Sequence, residues 1–348
     1  MKKDETLNYG ATVSELKKNG PQRLYLLWGP EDYLREQFLS ELKKACLPEG
    51  EGNFSYKRMG GPDIDPTALQ NAVDSVPFMT ERTLVELRGV DLNKIKDAMS
   101  DAVAKVLSDI PDYCTVVFVQ GGEYEPDGRL KLIKSIRKSS REVKFTAQNQ
   151  GMLENWVKKR FAALDKNIDG PTAQHLIFVS GTLMTRLIPE IEKVAAFAQG
   201  QSVTKADIEA VAHHIPEARV FDMTDCIAAR DTDAAARILA ELLGDKDNDP
   251  IMLLAVIGRQ MRQLYAARLA TDRGLGRKFV EDNCGIRFSF QVDKLMRAAR
   301  GYSIPALERA VELCCETDTK MKSTGEDDTA LLKDAVMRIA AGETNGKN

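Results

Sequence analysis

The residues best placed to do chemistry follow the first apolar run of the chain. Leu24 to Trp28 (Leu-Tyr-Leu-Leu-Trp) reads as a buried strand, Gly29 as a turn, and Leu34 to Cys46 as a helix. Strand, glycine turn and helix in that order is how backbone N–H groups are closed around phosphates. A working loop has the form G-x-x-x-x-G-K-[ST]: glycine lets the backbone approach, lysine neutralises the phosphates, and the hydroxyl ligates magnesium. Counting from Gly29, those last three positions hold Leu34, Arg35 and Glu36. Pro30 has no N–H to offer, and Glu31 and Asp32 repel a triphosphate. The expectation is a nucleotide-binding architecture with a degenerate loop that binds nucleotide poorly. A strand also enters a helix through Gly-Pro where no ligand was ever held, since glycine makes the turn and proline suits a first helical turn. This segment leaves both readings open.

Hydrolysis of a nucleotide further requires a carboxylate at the end of a second apolar strand, to hold magnesium and orient water. The best such strand, Cys114 to Val119, runs into Gln120-Gly121-Gly122, with Glu123 and Glu125 beyond. Two missing parts argue against ATP hydrolysis. Other chemistry finds no better footing. Of three histidines, His213 and His214 are adjacent, and neighbouring side chains on a helix diverge by about 100°, which does not grip one metal. They read as capping or surface residues, and His175 as packing or solvent-facing. No G-x-S-x-G, H-E-x-x-H or paired-cysteine motif is present, so no cofactor and no metal is expected.

Two segments suggest binding instead. In Asp74-Ser-Val-Pro-Phe-Met-Thr-Glu-Arg82 the centre of a turn is apolar, although surface loops are normally polar. Val76, Pro77, Phe78 and Met79 either fold back over the sheet or protrude as a plug, and burying each anchor on a partner contributes roughly 1.5–3 kcal/mol. The second segment is a basic helix, Gly128 to Ser139. Lys131, Lys134, Lys138 and Arg141 recur every three or four residues, flanked by Arg129 and Arg137, as a stripe for DNA or an acidic partner or simply a solvated face. A further group, Arg259, Arg262, Arg268, Arg273, Arg277 and Lys278, fits subunit or DNA contact equally.

The elements around these residues sort into blocks. Strand patterns (Leu24 to Trp28, Ser55 to Met59, Thr83 to Leu87, Thr115 to Gln120, Val143 to Thr146) alternate with helices across the first 150 residues, which predicts a mostly parallel three-layer α/β domain. Residues 151–216 read as a small helical domain and 217–348 as a helical bundle with a polar tail from Gly342. A chain of 348 residues, 43% hydrophobic and 29% charged, suits several soluble domains. Its net charge of −3 excludes a global basic field. Six cysteines without a C-x-x-C pair, no long apolar span and no signal peptide after Met1-Lys-Lys-Asp4 predict a cytoplasmic protein with reduced thiols and no membrane association.

Together these features resemble the delta subunit of the bacterial DNA polymerase III clamp loader. Leu24-Tyr-Leu-Leu-Trp-Gly-Pro-Glu-Asp-Tyr-Leu34 is similar to the family's first strand and degenerate loop. Ser75-Val-Pro-Phe-Met-Thr-Glu-Arg-Thr-Leu-Val-Glu-Leu87 falls where the family carries its clamp-binding loop, and Ile188-Pro-Glu-Ile-Glu-Lys-Val194 looks like its N-E-I-E-K-L helix with proline for asparagine. The resemblance implies an AAA+ module, made of an α/β domain and a helical lid, followed by an all-α collar domain.

It also implies a subunit without catalysis of its own in a DNA-directed DNA polymerase (nucleotidyltransferase) holoenzyme in the replisome. Such a subunit inserts a hydrophobic wedge into the sliding clamp (the beta ring) and helps hold one interface of the ring open for loading on primed DNA. Its implied partners are the clamp, the delta-prime and ATPase tau/gamma subunits through the collar, and primer-template DNA. The wedge maps to Pro77 and Phe78 with Val76 and Met79 as flanks. Some relatives place leucine before the phenylalanine where this chain has Pro77, which leaves open which neighbour of Phe78 shares the pocket. The rival readings are a divergent AAA+ ATPase and a nucleic-acid-binding adaptor outside replication.

Overall fold

The computed structural model describes residues 9–47, 54–95, 97–122, 124–286 and 288–342. Glu123 and the polar tail beyond Gly342 lie outside the described residues. The chain forms two compact units. The first holds residues 1–147 with Leu183–Thr185, and the second holds Gln148–Thr182 and Arg186–Asn348.

The first unit alternates helix and strand: α1 (Tyr9–Asn19), β1 (Leu24–Trp28), α2 (Asp32–Cys46), β2 (Tyr56–Gly60), α3 (Pro66–Val73), β3 (Thr83–Arg88), α4 (Asp97–Ser108), β4 (Cys114–Val119), α5 (Lys131–Ser139) and β5 (Arg141–Lys144). The strands make one parallel sheet of order β2-β3-β4-β1-β5. The central strands are buried along their whole length, β1 and β4 without exception. Strand alternation then sends side chains to two cores. Leu24, Leu26, Trp28, Val116 and Phe118 join Leu69, Val103, Leu132 and Ile136 of α3, α4 and α5. On the other face Tyr25 and Phe145 flank Phe38 of α2, with ring centroids 5.8 and 5.9 Å away. Two structural choices are local: Asp65 caps α3 with Pro66 at its first position, and the helix α5 ends at Ser139 where Ser140 turns extended.

The second unit is helical: α6 (Gln150–Ala162), α7 (Gly170–Ser180), α8 (Met184–Phe197, whose first two residues belong to the first unit), α9 (Lys205–Val211), α10 (Pro216–Ala228), α11 (Thr232–Gly244), α12 (Pro250–Asp272), α13 (Gly276–Cys284), α14 (Ser289–Ala298), α15 (Ile304–Ser323) and α16 (Asp328–Ala340). The long α12 is the spine, burying Leu253, Leu254, Ile257, Met261 and Leu264 against Leu307 and Leu313 of α15 and Phe221 of α10. A full capping box, Thr204 with Asp207, starts α9. Phe178 of α7 stands edge-on to Phe221 of α10, and the Lys294 amine lies 3.7 and 4.3 Å from the two ring centroids.

Several segments differ from the sequence pattern. Ahead of α4, which begins at Asp97, the chain turns Leu92 into the core. The basic helix begins at Lys131 rather than Gly128, and β5 lies two residues earlier than expected. α1 and α13 had no predicted counterpart.

Candidate functional site

The loop after β1 uses its polar groups internally. Gly29 takes φ +116°, and a Cβ there would lie 2.4 Å from the carbonyl oxygen of Phe145, which follows β5. That carbonyl accepts the Glu31 N–H at 3.1 Å, and the Phe145 N–H donates to the Trp28 carbonyl at 2.8 Å. The Asp32 N–H donates back to the Pro30 carbonyl at 3.2 Å. At the expected lysine position, Arg35 is buried. Its Nη1 donates to the Gly29 carbonyl at 2.8 Å and its Nη2 pairs with Asp32 Oδ1 at 2.5 Å. At the expected hydroxyl position, Glu36 receives a two-pronged bond from Arg88 at the end of β3, at 2.9 and 2.6 Å. Leu34 is packed in the core and Pro30 is exposed.

Glu31 is fully buried, and both its oxygens accept the Met184 N–H at the start of α8, each at 3.3 Å. Burial pushes its carboxyl up to about 7, against the pull of that N–H. After β4, a buried Gln120 stands where a magnesium-holding carboxylate would, its N–H bonded to the Leu27 carbonyl at 2.9 Å. The carboxylate of Glu125 lies 3.9 Å from the Lys144 amine.

The segment between α3 and β3 is built the opposite way. Val76 and Met79 are each 73% exposed and Phe78 is 58% exposed, with Pro77 half-buried between them. Of the two arrangements the sequence left open, the side chains of this loop protrude. Its base is held by Ser55, 1% exposed, at the entrance to β2. The Ser55 hydroxyl accepts the Phe78 N–H at 2.9 Å and the Thr80 hydroxyl at 2.7 Å, and it donates to the Phe78 carbonyl at 3.2 Å. On the other side of the loop, the Thr83 hydroxyl donates to the Ser75 carbonyl at 2.8 Å. Met79 has φ +59°, a left-handed conformation that costs a non-glycine residue roughly 1 kcal/mol or more. The hub and the bond at Ser75 hold it there.

Two residues of this site escape sequence reasoning. Ser55 reads only as a strand start, and Phe54 belongs to no motif. Phe54 is 76% exposed, and its ring meets Phe78 edge-on with centroids 6.0 Å apart. An unpaired aromatic at a strand entrance, followed by a small hydroxyl residue, is the signal that could have pointed to both.

The basic stripe is shorter than its spacing suggested. Lys131, Lys134 and Lys138 lie exposed on α5, none paired with an acidic group among the described residues. Arg141 does not continue the stripe: it belongs to β5, and its guanidinium pairs with Glu15 of α1 at 2.5 Å. Arg137 is likewise engaged by Glu142 at 2.8 Å. In the second unit, Arg259, Arg268 and Arg277 face Glu217, Asp272 and Asp293. His175 and His214 share the Glu209 carboxylate, at 2.5 and 3.4 Å, so His175 has a partner the sequence did not suggest. Among the described residues no group of three acidic, histidine or cysteine side chains is arranged to hold a metal ion, and no helix is long and apolar enough to cross a membrane.

Comparison with known proteins converges on one family. The family description "DNA polymerase III, delta subunit" matches residues 25–146, and "DNA polymerase III delta subunit, C-terminal domain" matches residues 217–339, between them more than half of the chain. The chain is 25% identical over 326 residues to DNA polymerase III subunit delta of Bacillus subtilis (strain 168), covering 91% of this chain and 92% of that one. It is 21% identical over 321 residues to the probable DNA polymerase III subunit delta of Aquifex aeolicus (strain VF5), covering 90% of each. Among solved structures, the Bacillus subtilis DNA clamp loader delta protein superposes with TM-score 0.51 at 22% identity, covering 96% of this chain and 99% of that one. The fold is of the class expected, an α/β module with a parallel sheet followed by a helical C-terminal part. By its sequence in both matched regions, this chain belongs to the DNA polymerase III delta subunit family.

Proposed function

We propose that this chain binds the sliding clamp through Val76, Pro77, Phe78 and Met79 and helps hold one interface of the ring open for loading on primed DNA, without hydrolysing ATP. The observation that carries this reading is an apolar loop tip left open to solvent on a base pinned by buried hydrogen bonds. A few preset apolar anchors make an interface that is firm yet quickly withdrawn, which suits an opener that must let go. The Gly29 loop supports the second half. Arg35 and Glu36, at the two positions that would meet phosphate and magnesium, are already engaged by the protein.

The energy for loading then comes from ATPase tau/gamma subunits, which meet this chain, together with delta-prime, through α10 to α16. Lys131, Lys134 and Lys138, exposed along one face of α5, are the residues free to approach primer-template DNA in that assembly. The test is affinity for the sliding clamp of the same organism. Phe78→Ala and an all-serine Val76 to Met79 loop each lose at least about 2 kcal/mol of binding while remaining folded, as expected of a central anchor. Equal binding by the folded variants would sink the reading.

A further inference from the structure

The apolar surface does not end with the loop. Phe54 comes from a different stretch of chain, at the entrance to β2, and is more exposed than Phe78. Among the described residues its aromatic neighbour is Phe78 itself. A phenylalanine that served the core would be buried. This one extends the patch of Val76, Phe78 and Met79 outward, and two aromatic side chains side by side offer a partner far more area than one.

The pairing of the two rings is not left to chance. Ser55 follows Phe54 directly, and its hydroxyl is bonded to both the N–H and the carbonyl of Phe78. Its own carbonyl accepts the Leu84 N–H at 2.8 Å, which ties it to β3. Moving Phe54 relative to Phe78 would break bonds made at a buried residue, where an unpaired polar group is costly. The backbone that carries the two rings is therefore held in a fixed relation, and anchors projected from a preset backbone lose less freedom on docking.

We infer that Phe54 is a second anchor that touches the clamp beside Phe78, and that Ser55 is the positioning residue that fixes the two rings for docking. This rests on the reading of the Val76 to Met79 loop as the clamp-docking element. The partner surface must then be an apolar pocket with room for two adjacent rings.

The experiment measures affinity of the full-length chain for the sliding clamp of the same organism, with folding checked by circular dichroism and thermal melting. Phe54→Ala weakens binding about tenfold, and in a Phe78→Ala background it still weakens it by at least about threefold. Ser55→Ala weakens binding about fivefold when Phe78 is present and less than about twofold when it is alanine, because a positioning residue acts through the ring it positions. Where Ser55→Ala melts below the assay temperature, Thr80→Val removes one of the hub's bonds and the same cycle is run with it. If Phe54→Ala binds like wild type while Phe78→Ala does not, the second anchor is refuted and the docking loop stands. Equal losses for Ser55→Ala in both backgrounds would leave it a merely structural residue and refute its positioning role. If the wild-type chain does not bind the clamp, the docking reading and this inference fall together.

Discussion

The first unit carries two unusual loops, one leaving β1 and one entering β3, and they handle the same physical problem in opposite ways. The Gly29 loop is rich in charge, and most of it is turned inward: Arg35 and the Glu31 and Asp32 N–H groups find partners within a few residues or on the turn after β5, and the Glu31 carboxylate accepts the Met184 N–H at the start of α8. The Val76 to Met79 loop is apolar and turned outward, with its polar backbone anchored at Ser55 and Thr83. Buried polar groups must be satisfied, and this polar loop meets much of that need internally. An apolar tip has nothing to satisfy, and its stabilisation waits for a partner surface. An inward-turned polar loop and an outward-turned apolar one can thus sit on the same sheet without disturbing its core.

The comparison breaks most visibly at Gly29. Gly29→Ala places a Cβ against the Phe145 carbonyl at an unfavourable φ and is expected to cost about 3–5 kcal/mol in urea unfolding. Serine substitutions across Val76 to Met79 should cost under about 1 kcal/mol of stability, since Val76, Phe78 and Met79 are already largely in water. Loop substitutions that unfold the protein would show that the tip is core cover.

A second, smaller effect sharpens the inward-turned side. The folded-state carboxyl of Glu31 is raised to about 7 from 4.5, so the folded chain holds its proton more tightly than the unfolded one. Its contribution to stability is full below pH 4.5 and is lost as pH rises through about 7. Glu31→Gln should therefore gain stability relative to wild type between pH 4 and pH 8, by on the order of 3 kcal/mol, read from urea midpoints at the two pH values. A difference that stays flat with pH would mean the carboxyl is not held in that environment.

The smallest expected effect concerns α5. Replacing Lys131, Lys134 and Lys138 by alanine should leave clamp affinity unchanged and lower the salt slope of DNA binding by the assembled loader, by about one for each phosphate that the lysines no longer neutralise. Arg141→Ala should not change that slope, because its guanidinium is held by Glu15. An unchanged slope for the triple variant would remove α5 from the DNA path.

What was legible in the sequence was what is decided locally. The buried β1 and β4 and the three positions after Gly29 that depart from the phosphate-loop pattern are set by residues close together in the chain. α1 escaped because only Thr12 and Leu16 of it are buried, too few for a helical period to show. α13 escaped because it begins at Gly276, which reads as a turn. Arg141 was placed on the helical stripe by its spacing, but Ser139 and Ser140 end the helix before the period reaches it. Whether Val76 to Met79 points in or out depends on Ser55, more than twenty residues away in sequence, and Phe54 joins the site only through that tertiary contact.

The most direct test places a photo-crosslinking benzoylphenylalanine at position 78, with position 33 beside the Gly29 loop as the control, and maps products formed with the sliding clamp. Efficient crosslinks from position 78 to one apolar pocket of the clamp are expected, and none from position 33. Crosslinks of equal yield from both positions, or none from position 78 in a chain that still binds the clamp, would contradict the docking reading.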